Sequence, residues 1–181
     1  MSTEKLLPFL DRNLENALER HGLEITAPAQ KYLVEMLGRF TDTFGVYQEK
    51  WLTPITFQYQ HITEELGRLQ RTQQQQELGD HCLFLIGFFY DYVRQHGKGQ
   101  IRYHAQLGSG AYLQTGKFPL VEMGEKFNDL YLVIGDLHLP TIDDERIVSL
   151  YQKWLDTGDR YYESLLVGKG IVPKEIKLVN N

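Results

Sequence analysis

A chain of 181 residues can bury a sizeable core without disulfide or metal staples and fits one domain over 1–181. Hydrophobic residues make up 42% and charged residues 24%, while eleven tyrosines and nine phenylalanines bring aromatics to 12%, so a ring-rich globular core is expected. A formal charge of -5, with no run of Lys or Arg longer than a pair, lacks the concentrated positive charge that nucleic acid or an anionic membrane surface requires, and the single Cys82 excludes an internal disulfide.

Leu7, Leu10, Leu14 and Leu18 fall on one stripe and predict a first helix, with Pro8 in its first turn and His21-Gly22 at its end. Its leading residues, MSTEKLLPFLDRNLE, carry neither a basic leader nor an apolar segment of signal length, and the expected setting is the cytoplasm. Thr26 and Pro28 open a second helix whose inner face is Leu33, Met36, Leu37 and Phe40, ending near Phe44-Gly45. From Val46 to Phe57 a connection pinned by Trp51, Ile55 and Phe57 is expected.

A helical pattern resumes at about Gln58 and runs through the polar tract Gln73 to Gln76 into an unbroken apolar stretch, Cys82 to Tyr90. That stretch is about half of the ~20 residues that cross a bilayer. Apolar on every side, it predicts a central helix near 79–95 surrounded by others and ended by Gly97-Lys98-Gly99. Residues 101–113 fit a further helix, and Leu120, Met123, Phe127, Tyr131 and Ile134 another, reaching Gly135. After Leu139-Pro140, Thr141 and Asp144 resemble a capping box ahead of Ile147, Leu150, Tyr151 and Trp154. A short helix over 161–167 and a loosely ordered tail from about 170 complete the reading: all-α, a single-domain bundle of about seven helices.

Chemistry-bearing residues concentrate around the central helix. Gly79 and Gly87 lie two turns apart on one side, and Gly108, Gly110 and Ala111 form a small-residue patch expected to face them. Asp80, His81, Tyr92, Tyr103, His104 and Tyr112 are the candidate ligand-binding residues, of which Tyr92, Tyr103, His104 and Tyr112 are placed around a pocket mouth between two helices. The same pattern also fits a buried acid receiving hydrogen bonds from Tyr or His. "GSGAYLQTG" fits no phosphate-binding loop, Cys82 sits in an apolar run that suppresses its thiolate, and no Glu has a His three residues later as in di-iron bundles. His61 with Glu64 or Glu65, and Glu77 with His81, share helix faces but lie too far apart for one ion.

"LGDHCLFLIGFF" and "YHAQLGSGAY" together resemble paired motifs of a family of uncharacterised bacterial all-helical proteins of similar length. The matching positions are Leu78, Gly79, Asp80, Leu83, Phe84, Gly87, Phe88 and Phe89, then Tyr103, Leu107, Gly108, Ala111 and Tyr112. The resemblance covers the central third and implies an all-helical fold, without an activity. The resulting expectation is a binding or protein-interaction module holding a small apolar or aromatic ligand between helices, with a protein partner or homodimer as the other occupant. No nucleic acid, membrane, metal or cofactor is called for. The rival is a metal- or haem-dependent enzyme of helical oxygenase-like type using His81, His104 and Asp80, or the Glu77 and His81 pair. A protein–protein adaptor presenting Trp51 or Trp154 is a third.

Overall fold

The computed structural model describes residues 3–44, 67–96, 100–137 and 144–174. Among these the chain is all-helical, and its nine helices are α1 (Thr3–His21), α2 (Ala27–Phe44), α3 (Arg68–Phe88), α4 (Tyr90–His96), α5 (Gln100–Gln114), α6 (Leu120–Glu125), α7 (Phe127–Leu137), α8 (Asp144–Thr157) and α9 (Arg160–Gly168). The connection 46–57 with Trp51, the helix start near Gln58, the His61 pairs, Gly97-Lys98-Gly99, Leu139-Pro140 and Thr141 all lie outside the described residues.

In α1, Leu6, Leu10, Leu14, Ala17 and Leu18 recur every three or four residues and are buried against α2 and α7. Because α1 begins at Thr3, Pro8 lies inside it rather than in its first turn. The helix closes with the Leu23 amide on the Leu18 carbonyl and the Gly22 amide on Glu19, a reversal that places Gly22 at φ 61°. At the start of α2 the Thr26 hydroxyl does not cap its own helix. Glu122 of α6 accepts from both the Thr26 amide, at 3.0 Å, and the Thr26 hydroxyl, so a distant carboxylate serves the positive helix end.

The central helix is α3. Every residue from 78 to 87 is buried, because α5 and α7 pack along it on different sides while α2 and α4 also touch it. The expected central helix near 79–95 is nevertheless broken at Phe89. There the chain turns so that Tyr90 leaves the main core and stacks on Tyr161 at 3.7 Å, and the Tyr161 hydroxyl lies 3.4 Å from the Gly87 carbonyl, an acceptor that an uninterrupted helix would use internally. A second break, at Lys126, divides the expected helix ending at Gly135 into α6 and α7; the Lys126 ammonium is held by the Glu24 carbonyl at 2.6 Å and by Glu122 at 2.8 Å. These two breaks turn seven expected helices into nine.

The buried residues form two clusters. The larger joins α1 to α7, and the smaller packs Tyr90, Leu132, Leu150, Trp154, Tyr161, Tyr162, Leu165 and Leu166 where α8 and α9 meet α4 and α7. Trp154 belongs to that second core, 9% exposed and edge-on to Tyr151, and is not a surface anchor for a partner. Beyond α9, the Ile171 amide bonds the Leu166 carbonyl and the Tyr151 hydroxyl bonds the Lys174 carbonyl, both at 3.0 Å, so residues 171–174 are tied back to the bundle. Among the described residues no helix is long and apolar enough to cross a membrane.

Candidate functional site

Asp80 enters the core on α3 just ahead of the apolar run, 5% exposed, where an ionised carboxylate is costly unless it is hydrogen-bonded. Its partners arrive from two other helices. Tyr32 of α2 and Tyr112 of α5 both donate to Oδ1, at 2.6 and 2.7 Å, and Arg39 of α2 donates to Oδ2 at 3.0 Å. Arg39 also lies over the Tyr32 ring at 5.9 Å. Burial pushes the Asp80 carboxyl up to about 6, against the lowering effect of the two phenols and the guanidinium. Burial, reinforced by the adjacent carboxylate, raises both phenols, which therefore stay protonated donors.

Of the six sequence candidates, the structure brings Asp80 and Tyr112 together and leaves the rest apart. Close contacts of Gly79 with Tyr112 and of Gly108 with Cys82 set an antiparallel register between α3 and α5. That register puts His104 opposite Ile86, about 9 Å along the helix from Asp80 at ~1.5 Å per residue. His104 is buried, its Nδ1 2.6 Å from the Gln100 carbonyl of its own helix, and burial lowers its pKa. His81 is buried beside Asp80 in sequence and points to another side of α3. Tyr103, 46% exposed, meets the His104 ring edge-on, and Tyr92, 38% exposed, stacks on His96. They do not ring a pocket mouth with Tyr112, which is wholly buried. Among the described residues no three His, Cys, Asp or Glu side chains are grouped to hold a metal ion, so His81, His104 and Asp80 do not form the ligand set of the enzyme alternative. Cys82 is buried, and burial raises its thiol far from thiolate.

Asp80 is thus enclosed by its own hydrogen bonds. A different region has open space: a cleft of about 470 Å³ between the end of α1, one face of α7 and α9. Leu23, Leu132 and Val167 supply its apolar lining, and Arg20, Arg160 and Ser164 its polar groups, with Asp129 and Glu163 alongside. Arg20 is held from behind by Asp136 of α7, whose Oδ2 accepts from Nε at 2.9 Å and Nη2 at 2.6 Å. His21 Nε2 lies 3.6 Å from the same oxygen, beyond hydrogen-bond reach, and Lys169 stands 3.3 Å from Oδ1 without hydrogen-bond alignment. Burial alone would raise the Asp136 carboxyl, but His21, Arg20 and Lys169 outweigh it and hold it at about 2. Sequence reasoning assigned His21 only a helix end and no role to Arg20 or Asp136, although an acid adjoining the apolar run "LYLVIGDL" resembles the signal that marked Asp80.

The two buried acids oppose each other in pH dependence. Asp80 has a raised folded pKa, so the folded state binds its proton more tightly and stability rises as pH falls from about 6 towards 4, by roughly 3 kcal/mol at 1.36 kcal/mol per unit. Asp136 has a lowered one, so its contribution is complete above about 4 and is lost as pH falls towards 2. Urea midpoints measured from pH 3 to 8 should therefore decline from pH 4 to 6 in the parent relative to Asp80→Asn. Parallel profiles would show that Asp80 carries no raised pKa.

No family model, curated protein or solved structure matches this chain.

Proposed function

We propose that the protein is a non-catalytic binding module of the cytoplasm that holds a small ligand in the cleft between α1, α7 and α9. The observation that carries this reading is the pairing of three apolar side chains with tethered guanidiniums in a concavity of about 470 Å³, a volume in the range of small-molecule sites. The ligand site moves away from Asp80 because that carboxylate's oxygens already receive three donors, leaving a closed cluster that joins α2, α3 and α5. The resemblance of the central motifs fits this division: the matching residues Gly79, Asp80, Gly108 and Tyr112 are packing residues, and they bring no activity with them.

Screening a small-molecule library by amide chemical shifts tests the proposal. Binding compounds should perturb Leu23, Leu132, Ser164 and Val167 together, and Ser164→Trp, which fills the cleft from a half-buried position, should abolish those shifts. Compounds that instead perturb the Tyr103–His104 surface, with the cleft silent, would move the site. Native mass spectrometry of the same samples addresses the partner reading, since a dimer persisting on dilution would favour a protein-interaction module.

A further inference from the structure

We infer that the ligand carries one anionic group, of the carboxylate or phosphate kind, on an apolar body, with Arg20 and Arg160 receiving the anion; this rests on the cleft reading above. Each guanidinium is fixed through part of its donor set only. Arg20 uses Nε and Nη2 on Asp136, and Arg160 uses Nη2 on Asp129 at 3.2 Å. Five N–H groups project from each guanidinium, so both keep uncommitted donors on side chains that line the cleft. An arginine oriented by a carboxylate on one edge presents its other edge with little further loss of side-chain freedom, which favours recognition of a planar or tetrahedral oxyanion.

The acids in this region argue the same way. Asp129 already pairs with Arg160, and Asp136 with Arg20 at Oδ2 and with Lys169 3.3 Å from Oδ1, so an incoming cation would meet carboxylates that already face a cation. At the Arg20 end, Arg20 and Lys169 both face the single Asp136 carboxylate, whose pKa is held down, against burial, by His21, Arg20 and Lys169. Glu163 is the counterweight, an exposed carboxylate of α9 where water screens it. Leu23, Leu132 and Val167 have no use for a bare inorganic ion, and they assign the remainder of the ligand an apolar surface.

The test is an amide-shift titration of the full chain with five probes: benzoate, phenyl phosphate, inorganic phosphate, benzyl alcohol and benzylamine. Benzoate or phenyl phosphate should saturate the Leu132, Ser164 and Val167 shifts, and whichever binds more tightly identifies the oxyanion. Benzyl alcohol and inorganic phosphate should each bind about tenfold more weakly or worse, since each lacks one half of the recognition. Arg20→Gln should weaken the better anion by about tenfold. Because that variant also strips Asp136 of its main partner, Arg160→Gln is the companion: its side chain is 74% exposed, the fold should be unaffected, and the affinity should still fall several-fold. Benzyl alcohol or benzylamine binding at the cleft as tightly as benzoate would overturn the anion assignment while leaving the cleft as a site, as would unchanged anion affinity in folded Arg160→Gln and Arg20→Gln. If none of the five probes moves the cleft amides, the cleft reading itself falls and this inference with it.

Discussion

Asp80→Ala should lower the stability of the protein by about 3 kcal/mol at neutral pH, the scale expected when a buried charged acceptor is removed and its donors are stranded. The Tyr112 hydroxyl has no other partner among the described residues and no access to water, since the residue is 0% exposed, and Tyr32 loses the acceptor 2.6 Å from its oxygen. Part of that cost is offset because the substitution also removes a desolvated carboxylate, the one burial has pushed up to about 6. Asp80→Asn separates the two contributions. Its carbonyl oxygen can still accept both phenols, Arg39, whose side chain is 56% exposed, can turn to water, and the desolvated charge is gone, so stability at or above the parent's is expected at neutral pH. Urea unfolding of the two variants is the measurement. An alanine variant as stable as the parent would mean that Asp80 is not holding α2, α3 and α5 together, and would return it to the list of residues free to serve a ligand.

That cluster also marks the boundary of what the sequence reveals. An acid at the head of an apolar run announces a buried polar cluster with a Tyr or His donor, but Tyr112 is expected at a pocket mouth rather than as that donor. Tyr32 and Arg39 lie more than forty residues upstream, and their identity as partners depends on how α2 crosses α3, a matter of tertiary register that local periodicity does not encode. The helix breaks follow the same rule. Neither Phe89 nor Lys126 is a glycine or proline, the residues that punctuate helices locally, and each break coincides with a distant contact: Tyr90 stacked on Tyr161 in one case, Lys126 on the Glu24 carbonyl in the other. Apolar stripes found the helices because burial is set by spacing along one element. The cleft stayed hidden because α1, α7 and α9 contribute to it separately, and no single segment holds enough of its residues to form a motif.

The glycine patches were legible in kind and only half so in pairing, and the difference yields an opposed pair of predictions. Gly79 does face α5, but it is the Tyr112 ring that occupies its missing side chain; a Cβ there would stand 2.4 Å from two ring carbons. Gly108 meets Cys82 and the Phe127 ring, Gly87 turns instead to Ile134 on α7, and Gly110 meets nothing within 4 Å. Alanine at position 79 gains about 1 kcal/mol of helix propensity but forces the Tyr112 ring to shift. That ring packs on Phe127 at 5.8 Å and is tethered by its hydroxyl to Asp80, so it cannot withdraw without lengthening the 2.7 Å bond. Overpacking and the weakened bond should together give Gly79→Ala a net loss of about 3 kcal/mol. At Gly110, in the interior of α5 with open space around its Cα, the propensity acts unopposed and Gly110→Ala should stabilise by up to about 1 kcal/mol. Thermal or urea melts of the two variants share one host helix pair, so stabilisation by both would show that propensity alone governs these glycines and that α3 and α5 do not depend on the close approach at Gly79.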